Sequence, residues 1–224
     1  MTFSIAAGCS KTGQFGVVVT SSSICVASRC AFVRSGAGAA LSQNITDPAL
    51  GPLMLEQCAG GTSAVQILDK LRSSRDHIQY RQLALIDKTY ATASFTGEQA
   101  LGVTGEASGQ YCVAVGNLLD NDQVPTAMVK AFEAATGSLA DRLLEALDAG
   151  QEQGGEAGPV QSAGLLVASD ASWPVIDLRV DWSDTPLADL RDLWQRYEPQ
   201  LLDYQTRADD PRVAPAYGVP GDPA

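Results

Sequence analysis

The chain of 224 residues carries 15 Lys and Arg against 26 Asp and Glu, which gives a net charge of −11 at pH 7. Such an acidic chain lacks the basic surface with which proteins bind nucleic-acid phosphates or anionic lipids, so we expect no nucleic acid and no membrane as a partner. Its hydrophobic content of 45% is that of a folded globular protein.

Five cysteines occur without a C-x-x-C pair, and His77 is the single histidine. This inventory argues against a disulfide framework and against a structural metal site, and we expect no metal and no cofactor. The opening segment MTFSIAAG has neither a basic region nor a sustained apolar run, and no stretch approaches the roughly 18 apolar residues of a membrane span. We therefore expect a cytoplasmic protein.

The first part of the chain predicts a β-hairpin that starts at the first residues, followed by a third strand and two helices. Strands are predicted over residues 2–8, 14–26 and 35–45, which are rich in Val, Thr, Ser and small residues. Asp47 before Pro48 is typical of a helix start, and that helix should reach about Cys58 before Gly60-Gly61 stops it. Thr62 is the predicted cap of the next helix.

The second part of the chain repeats this pattern. Strands are predicted over residues 80–87, 90–97, 110–116, 161–169 and 175–182, and helices are predicted to begin at Asn121, Ser138 and Pro186. Ser138 and Asp141 have the spacing of a capping box. The last helix should run to about Tyr204, and the proline-rich tail from Asp209 should be irregular.

The resulting order is β-β-β, α-α, β-β-β, α-α, β-β, α. Pairs of helices alternate with runs of strands, which is not the single-helix alternation of a doubly wound parallel fold. Two antiparallel sheets between helix layers would satisfy the order, with residues 2–8 in a central strand. We predict one α+β domain over residues 1–183, followed by a C-terminal helix and irregular tail over residues 184–224.

Several segments together carry a family resemblance. They are MTFSI, SGAGA with Gln43, Asn44 and DPALGP, YRQLALID, SFTGE, VGNLL, and GQEQGG followed by QSAGLLV. Over roughly residues 1–183 they resemble the bacterial family catalogued as domain of unknown function 1028. The resemblance implies an N-terminal-nucleophile (Ntn) hydrolase-like fold, a four-layer αββα sandwich, although a fold does not by itself determine a function.

The implied chemistry centres on Thr2. In an Ntn hydrolase the first residue of the mature chain supplies both a nucleophile and, through an α-amine that titrates near 8, its base. Removal of Met1, which a small second residue favours, would expose Thr2 in that role. The resemblance thus implies hydrolysis of a small-molecule amide or other linear C–N bond. The alternative is that Thr2 only begins a strand, in a catalytically inactive binding or scaffolding protein that keeps the fold.

Other candidate residues have weaker arguments. Arg34 follows the second strand, where the resemblance implies a cation that lowers the pKa of the amine, and the alternative is an ordinary surface charge or the partner of a carboxylate. Asn117, in VGNLL, could donate a hydrogen bond to an oxyanion, or simply end a strand. Residues placed at the edge of a substrate cleft are Gln43, Asn44, Gln161 and Ser162.

The last helix raises the question of assembly. Apolar side chains recur there at helical spacing at Leu190, Leu193, Trp194, Tyr197 and Leu201. This stripe must be buried against the protein's own core or against a partner. We expect a homodimer, with a small-molecule substrate as the other partner.

Overall fold

The computed structural model describes residues 1–221, and the fold consists of ten strands and seven α-helices within that range. The strands are β1 (Thr2–Cys9), β2 (Gln14–Ser21), β3 (Ala31–Arg34), β4 (Gly38–Asn44), β5 (Arg81–Asp87), β6 (Thr92–Thr96), β7 (Val103–Gly109), β8 (Cys112–Leu119), β9 (Ser162–Ala168) and β10 (Pro174–Val180). The helices are α1 (Ala27–Cys30), α2 (Leu50–Ala59), α3 (Ala64–Ser74), α4 (Val124–Ala134), α5 (Leu139–Glu152), α6 (Pro186–Tyr197) and α7 (Leu201–Asp209).

The strands form two sheets in which every neighbouring pair is antiparallel. One has six strands in the order β10-β9-β2-β1-β8-β7, and the other has four in the order β3-β4-β5-β6. The hairpin of β1 and β2 therefore lies in the middle of the larger sheet, as the sequence predicts. A central strand is buried on both faces, and β1 accordingly contains no charged residue, although Thr2 and Ser4 are polar.

Three apolar cores separate four layers. The first, with Phe3 and Leu143, lies between the larger sheet and helices α4, α5 and α6. The second, with Val17 and Ala84, lies between the two sheets, and the third, with Met54, lies between the smaller sheet and α2 and α3. The layer order is helix, sheet, sheet, helix, so the predicted four-layer αββα sandwich is confirmed.

Helix starts agree with the sequence in part. Ser138 and Asp141 form the predicted capping box, in which each side chain accepts a hydrogen bond from the backbone of the other. The start of α3 has the same motif, but the cap is Ser63 rather than Thr62. Asp47 is not the cap of α2, since its carboxylate accepts from a loop N–H one residue before the helix.

The predicted strand over residues 14–26 is too long. β2 ends at Ser21, and the chain then turns through α1 into β3, which belongs to the other sheet. The turn is held by Ser162, whose hydroxyl donates to the Ser23 carbonyl at 2.6 Å and accepts from the Val26 N–H at 3.1 Å. A contact between residues so far apart in sequence leaves no local signal.

Further elements differ from the prediction. The short elements α1 and β3 were not predicted, and β4 begins at Gly38 and not at residue 35. Strand β7, over Val103–Gly109, was missed because this edge strand consists mainly of polar and small residues, all of them exposed or half-buried. The last helix is not continuous to Tyr204. It breaks at a short 3-10 turn, Glu198–Gln200, because Pro199 has no N–H to donate within a helix.

The start of the C-terminal segment belongs to the same core. Leu190 and Trp194 of α6 are buried against the larger sheet, and the Tyr197 hydroxyl donates to the Val175 carbonyl at 2.9 Å. Four of the five stripe residues, Leu190, Trp194, Tyr197 and Leu201, therefore pack within the chain and no longer argue for a partner, so the homodimer stays a prediction. Residues 210–221 form no helix or strand, as predicted for the proline-rich tail. The last proline of that tail, Pro223, lies outside the described residues. Within residues 1–221 no helix is long and apolar enough to cross a membrane.

Candidate active site

Thr2 is the first residue of the central strand, and only 5% of it is exposed. It pairs with Asn117 of β8 on one side, while Ser21 at the end of β2 lies on the other, with 3.4 Å between the two hydroxyl oxygens. Side chains alternate along a strand, and Ala6 belongs to the core between the sheets. Thr2 therefore faces the space between the two sheets.

A directed chain of hydrogen bonds leads to this hydroxyl pair. Arg29 Nη2 donates to Ser23 Oγ at 2.8 Å, and Ser23 Oγ lies 2.7 Å from Ser21 Oγ. Ser23 accepts from Arg29, so its own proton is available to Ser21. Ser21 and Thr2 both donate to the carbonyl oxygen of Met1. The chain thus ends in two hydroxyl donors that point at one carbonyl oxygen.

The wall of the space beside Thr2 is a buried amide network. Gln82 Nε2 donates to the Gly116 carbonyl at 2.8 Å, so Gln82 Oε1 must face the other amides. That oxygen accepts from Gln43 Nε2 at 2.8 Å and from Asn117 Nδ2 at 3.0 Å. Gln43 Oε1 in turn accepts from the Ser4 hydroxyl at 2.6 Å. Since the backbone carbonyl can only accept, the orientation of every amide in the network is fixed.

This orientation changes the expected role of Asn117. Its amide nitrogen is directed at Gln82, and only the second Nδ2 hydrogen remains for an oxyanion. Its Oδ1 is fully buried and has no hydrogen-bond partner among residues 1–221. Asn117 therefore offers the site a free acceptor more readily than a free donor.

Glu156 is a buried acid beside these groups, with 5% of the residue exposed. Both carboxylate oxygens accept from the Ser22 N–H, at 3.2 and 3.1 Å. Burial raises the pKa of Glu156 to about 7, against the opposing effects of the N-terminal ammonium and the Ser22 hydrogen bond. The carboxyl group is therefore divided between its charged and neutral forms at neutral pH.

The loop after α5 carries Glu156 to this position. Gly154 begins the turn with a φ of +127°, a conformation that side chains other than hydrogen rarely allow. Ala157 then donates to the Leu118 carbonyl at 3.0 Å, and Gln161 donates to the Ser21 carbonyl at 2.8 Å. The loop is thus tied to the ends of both strands that flank Thr2. Gln161 Oε1 is a second buried acceptor without a partner within the described residues.

The structure brings together only some of the candidate residues from the sequence. Those at the Thr2 end of the sandwich are Thr2, Gln43, Asn117 and Gln161. Ser162 lies nearby, but its hydroxyl is occupied in holding the turn after β2. Asn44 serves the neighbouring loops instead, since its Nδ2 donates to the Tyr80 carbonyl at 2.7 Å and its Oδ1 accepts from Leu101 at 3.2 Å.

Arg34 does not lie where the sequence argument placed it. It is exposed and pairs with Gly38 at the start of β4, whereas Gln43 at the other end of β4 bonds the strand that carries Thr2. Those two ends are separated by about 15–20 Å of strand. A cation so far away and in solvent has little effect on an amine at Thr2. The basic side chain that is connected to the site is Arg29, through Ser23.

Sequence reasoning missed Glu156 and the roles of Ser21, Ser23 and Arg29. Glu156 lies in the glycine-rich segment GQEQGGEAG, where the neighbouring acids give no sign that this one is buried. The serine run after β2 was visible but is also typical of a polar strand face. The turn that gathers these groups depends on contacts with residues more than 130 positions away.

Comparisons with known proteins agree with this architecture. A family model described as "Family of unknown function (DUF1028)" matches residues 2–190. The crystal structure of protein SPO2555 from Silicibacter pomeroyi, which carries the same family model, is 30% identical, covers 88% of each chain and has a TM-score of 0.81. Anbu (ancestral beta-subunit) from Yersinia bercovieri covers 90% of this chain and 97% of its own at 12% identity, and its TM-score of 0.41 is too low to carry an argument. No curated protein matches the chain.

Proposed function

We propose, from the premise that the chain belongs to the DUF1028 family of unknown function, that it is an N-terminal-nucleophile hydrolase of a small-molecule amide or other linear C–N bond. Thr2, made N-terminal by removal of Met1, is the nucleophile. The observation that carries the proposal is the position of Thr2: a buried hydroxyl at the first residue of the central strand, facing a polar space between two sheets.

The base in this proposal is the α-amine of Thr2 itself. A free α-amine titrates near 8, so at neutral pH a useful fraction is unprotonated, which is not true of a lysine. It is held two bonds from the carbon that carries the hydroxyl, and no other residue has to be recruited. Glu156 is not the base we propose, because its oxygens are directed at the Ser22 N–H.

The reaction follows in two balanced halves. The Thr2 hydroxyl oxygen attacks the carbonyl carbon, and its proton passes to the α-amine. That proton then goes to the leaving nitrogen as the C–N bond breaks, which leaves an acyl ester on Oγ1. Water attacks the ester with the same amine as base, and the proton returns to Oγ1 as the acid product leaves.

Negative charge on the attacked carbonyl oxygen needs a donor, and Ser21 is placed to supply it. Its hydroxyl already donates to the carbonyl oxygen of Met1, in front of Thr2. Arg29 acts through Ser23 to orient this hydroxyl toward that oxygen. Fixed donors of this kind stabilise a developing oxyanion more than they stabilise the neutral carbonyl.

A second candidate is a binding protein that keeps the fold without the chemistry. In the chain with Met1 attached, the Thr2 nitrogen is part of an amide and the Thr2 hydroxyl donates a hydrogen bond to the Met1 carbonyl. An amide nitrogen has no basic lone pair, so the chain with Met1 attached has no base at Thr2. The mass of the intact protein from its native host separates the two candidates, since retention of Met1 would contradict the hydrolase.

The functional test compares Thr2→Ala with the parent protein on a panel of small amides and ureido compounds. The substitution should abolish turnover and change the free energy of unfolding by about 1 kcal/mol or less. Thr12→Ala is the matched control, because its exposed hydroxyl lies at the opposite end of β1. Equal turnover by the parent and Thr2→Ala proteins would remove Thr2 from the mechanism.

A further inference from the structure

Met1 occupies the space that a substrate would need. Its carbonyl oxygen accepts hydrogen bonds from Thr2 and Ser21. Its side chain reaches the Glu156 loop, where a Cβ placed on Gly158 would lie 3.7 Å from the Met1 methyl carbon. Its ammonium is close enough to Glu156 to act on that carboxyl electrostatically. Removal of Met1 therefore opens a space whose boundary is known on three sides.

The groups around this space are mainly hydrogen-bond acceptors. Glu156 is a buried acid, and the side-chain oxygens of Asn117 and Gln161 are buried without partners among residues 1–221. Buried acceptors that lack a donor are costly, and a buried charge without a counter-charge is costlier still. Loss of the Met1 ammonium removes a cation from beside Glu156. The Thr2 amine that this removal exposes must be neutral when it acts as the base, and the Thr2 and Ser21 hydroxyls are directed at the carbonyl oxygen. The reactive state therefore lacks a cation to pair with Glu156.

We infer, resting on the proposed function, that the substrate carries a primary ammonium group close to the scissile carbonyl and that Glu156 binds it. The substrate class is an amide of an amino acid with a free amino group. Met1 shows the arrangement, with a carbonyl oxygen held by Ser21, an ammonium near Glu156 and a side chain against the loop at Gly158. The unpartnered oxygens of Asn117 and Gln161 supply the remaining acceptors.

Binding of a substrate ammonium would also account for the burial of Glu156 on a constrained loop. The Ser22 N–H fixes both carboxylate oxygens, so the acid cannot turn out to solvent without losing that bond. A charge-assisted hydrogen bond in such a site contributes more than the same pair in water. An acylated amino group, which has the same shape but no charge, should be rejected because it leaves the carboxylate unpaired.

The experiment measures binding by titration calorimetry in Thr2→Ala protein without Met1, so that no probe is turned over. The probes are L-methioninamide and N-acetyl-L-methioninamide, which differ in the charge of the amino group. We expect the free amine to bind at least about tenfold more tightly, the scale of one charge-assisted hydrogen bond. Glu156→Gln should reduce this preference to less than about twofold. Glu152→Gln, with the same charge change on the exposed end of α5, should keep the preference.

Two outcomes overturn the inference: equal or absent binding of both probes, or a preference that survives Glu156→Gln. The comparison of the two probes in Thr2→Ala protein with Glu156 intact remains informative even if Glu156→Gln fails to fold. Failure of the hydrolase proposal would give a different result. The protein would still prefer the probe with the free ammonium, but wild-type protein without Met1 would hydrolyse no amide. Turnover that depends on Thr2 but is indifferent to the ammonium would contradict this inference alone.

Discussion

The layer between the two sheets has one apolar end and one polar end, although the same strands run through both. At the aromatic end, defined by Gly8, Phe15 and Tyr90, the two rings stack with centroids 5.1 Å apart and Tyr90 packs on Gly8. At the Thr2 end the same face carries hydroxyls and amides instead. β1 changes from one character to the other between Ala6 and Ser4. Packing stabilises one end of the sandwich, and polar groups that could perform chemistry occupy the other.

The two ends should respond oppositely to substitution, with the largest loss of stability at the aromatic end. Phe15→Ala removes a ring that is 3% exposed and should lower the free energy of unfolding by about 4 kcal/mol. Urea unfolding monitors the change. Turnover per folded molecule should stay within about twofold of the parent. A loss of activity without a loss of stability would mean that the ends are not separable.

The pH dependence of stability should sharpen the comparison at the Thr2 end. The pKa of Glu156 is about 7 in the folded protein against 4.5 as the ordinary value, so between these pH values the unfolded chain loses a proton that the folded chain retains. The stability contributed by the protonated acid is therefore complete below pH 4.5 and is lost as the pH rises toward 7. Glu156→Gln has no such loss.

The expected difference between Glu156→Gln and the parent grows by about 3 kcal/mol from pH 4.5 to pH 7, in favour of the variant. Urea unfolding of both proteins at each pH measures it. The difference between the two free energies of unfolding at each pH removes the contribution of the other acidic residues, which is the same in both proteins. A difference that does not change with pH would show that Glu156 is ionised normally in the folded protein.

A substitution in the amide network should lower both stability and turnover, with a smaller loss of stability than at the aromatic end. Gln82→Leu keeps the volume but leaves Gln43 Nε2, Asn117 Nδ2 and the Gly116 carbonyl without their partner. We expect a loss of about 2 kcal/mol in the free energy of unfolding and a fall in turnover. The exposed Gln99→Leu is the control. If Gln82→Leu were as stable and active as the parent, the network would not be holding the Thr2 end in place.

Substitution of the two candidate cations, Arg29 and Arg34, should have the smallest effects, and these should be effects on kcat and not on stability. Arg29→Gln should lower kcat about tenfold by weakening the orientation of Ser21 through Ser23, while KM changes little. Arg34→Gln, at the end of β3 that pairs with the far end of β4, should change neither constant by more than about twofold. Steady-state kinetics on one substrate tests both variants. The reverse ranking would restore Arg34 as the cation near the amine.

The sequence predicts well those features that depend on neighbouring residues. The hairpin of β1 and β2, the capping box at Ser138 and the burial of Leu190 and Trp194 all arise from local sequence patterns, and the structure has them. Thr2 was singled out through the family resemblance, because a second residue by itself carries no sign of a nucleophile. Pattern and resemblance together predict the layers and four residues at the Thr2 end of the sandwich, namely Thr2, Gln43, Asn117 and Gln161.

The rest of the site depends on contacts that no local pattern records. Glu156 is buried because its loop is tied to the ends of β2 and β8, and nothing in GQEQGGEAG distinguishes it from exposed acids. Arg29 approaches the site only because Ser162 turns the chain after β2. Arg34 was misplaced for the same reason, since the strand that carries it belongs to the other sheet.

The claim that Thr2 is the nucleophile is tested most directly by the mass of the N-terminal peptide after brief reaction with p-nitrophenyl acetate. In protein without Met1 we predict one acetyl group on the peptide that begins at Thr2, removable by hydroxylamine as expected of an ester. Protein that retains Met1 should acquire none at that rate, because its Thr2 has no free amine. An acetyl group on another residue, or one that forms equally fast in Thr2→Ala, would contradict the account.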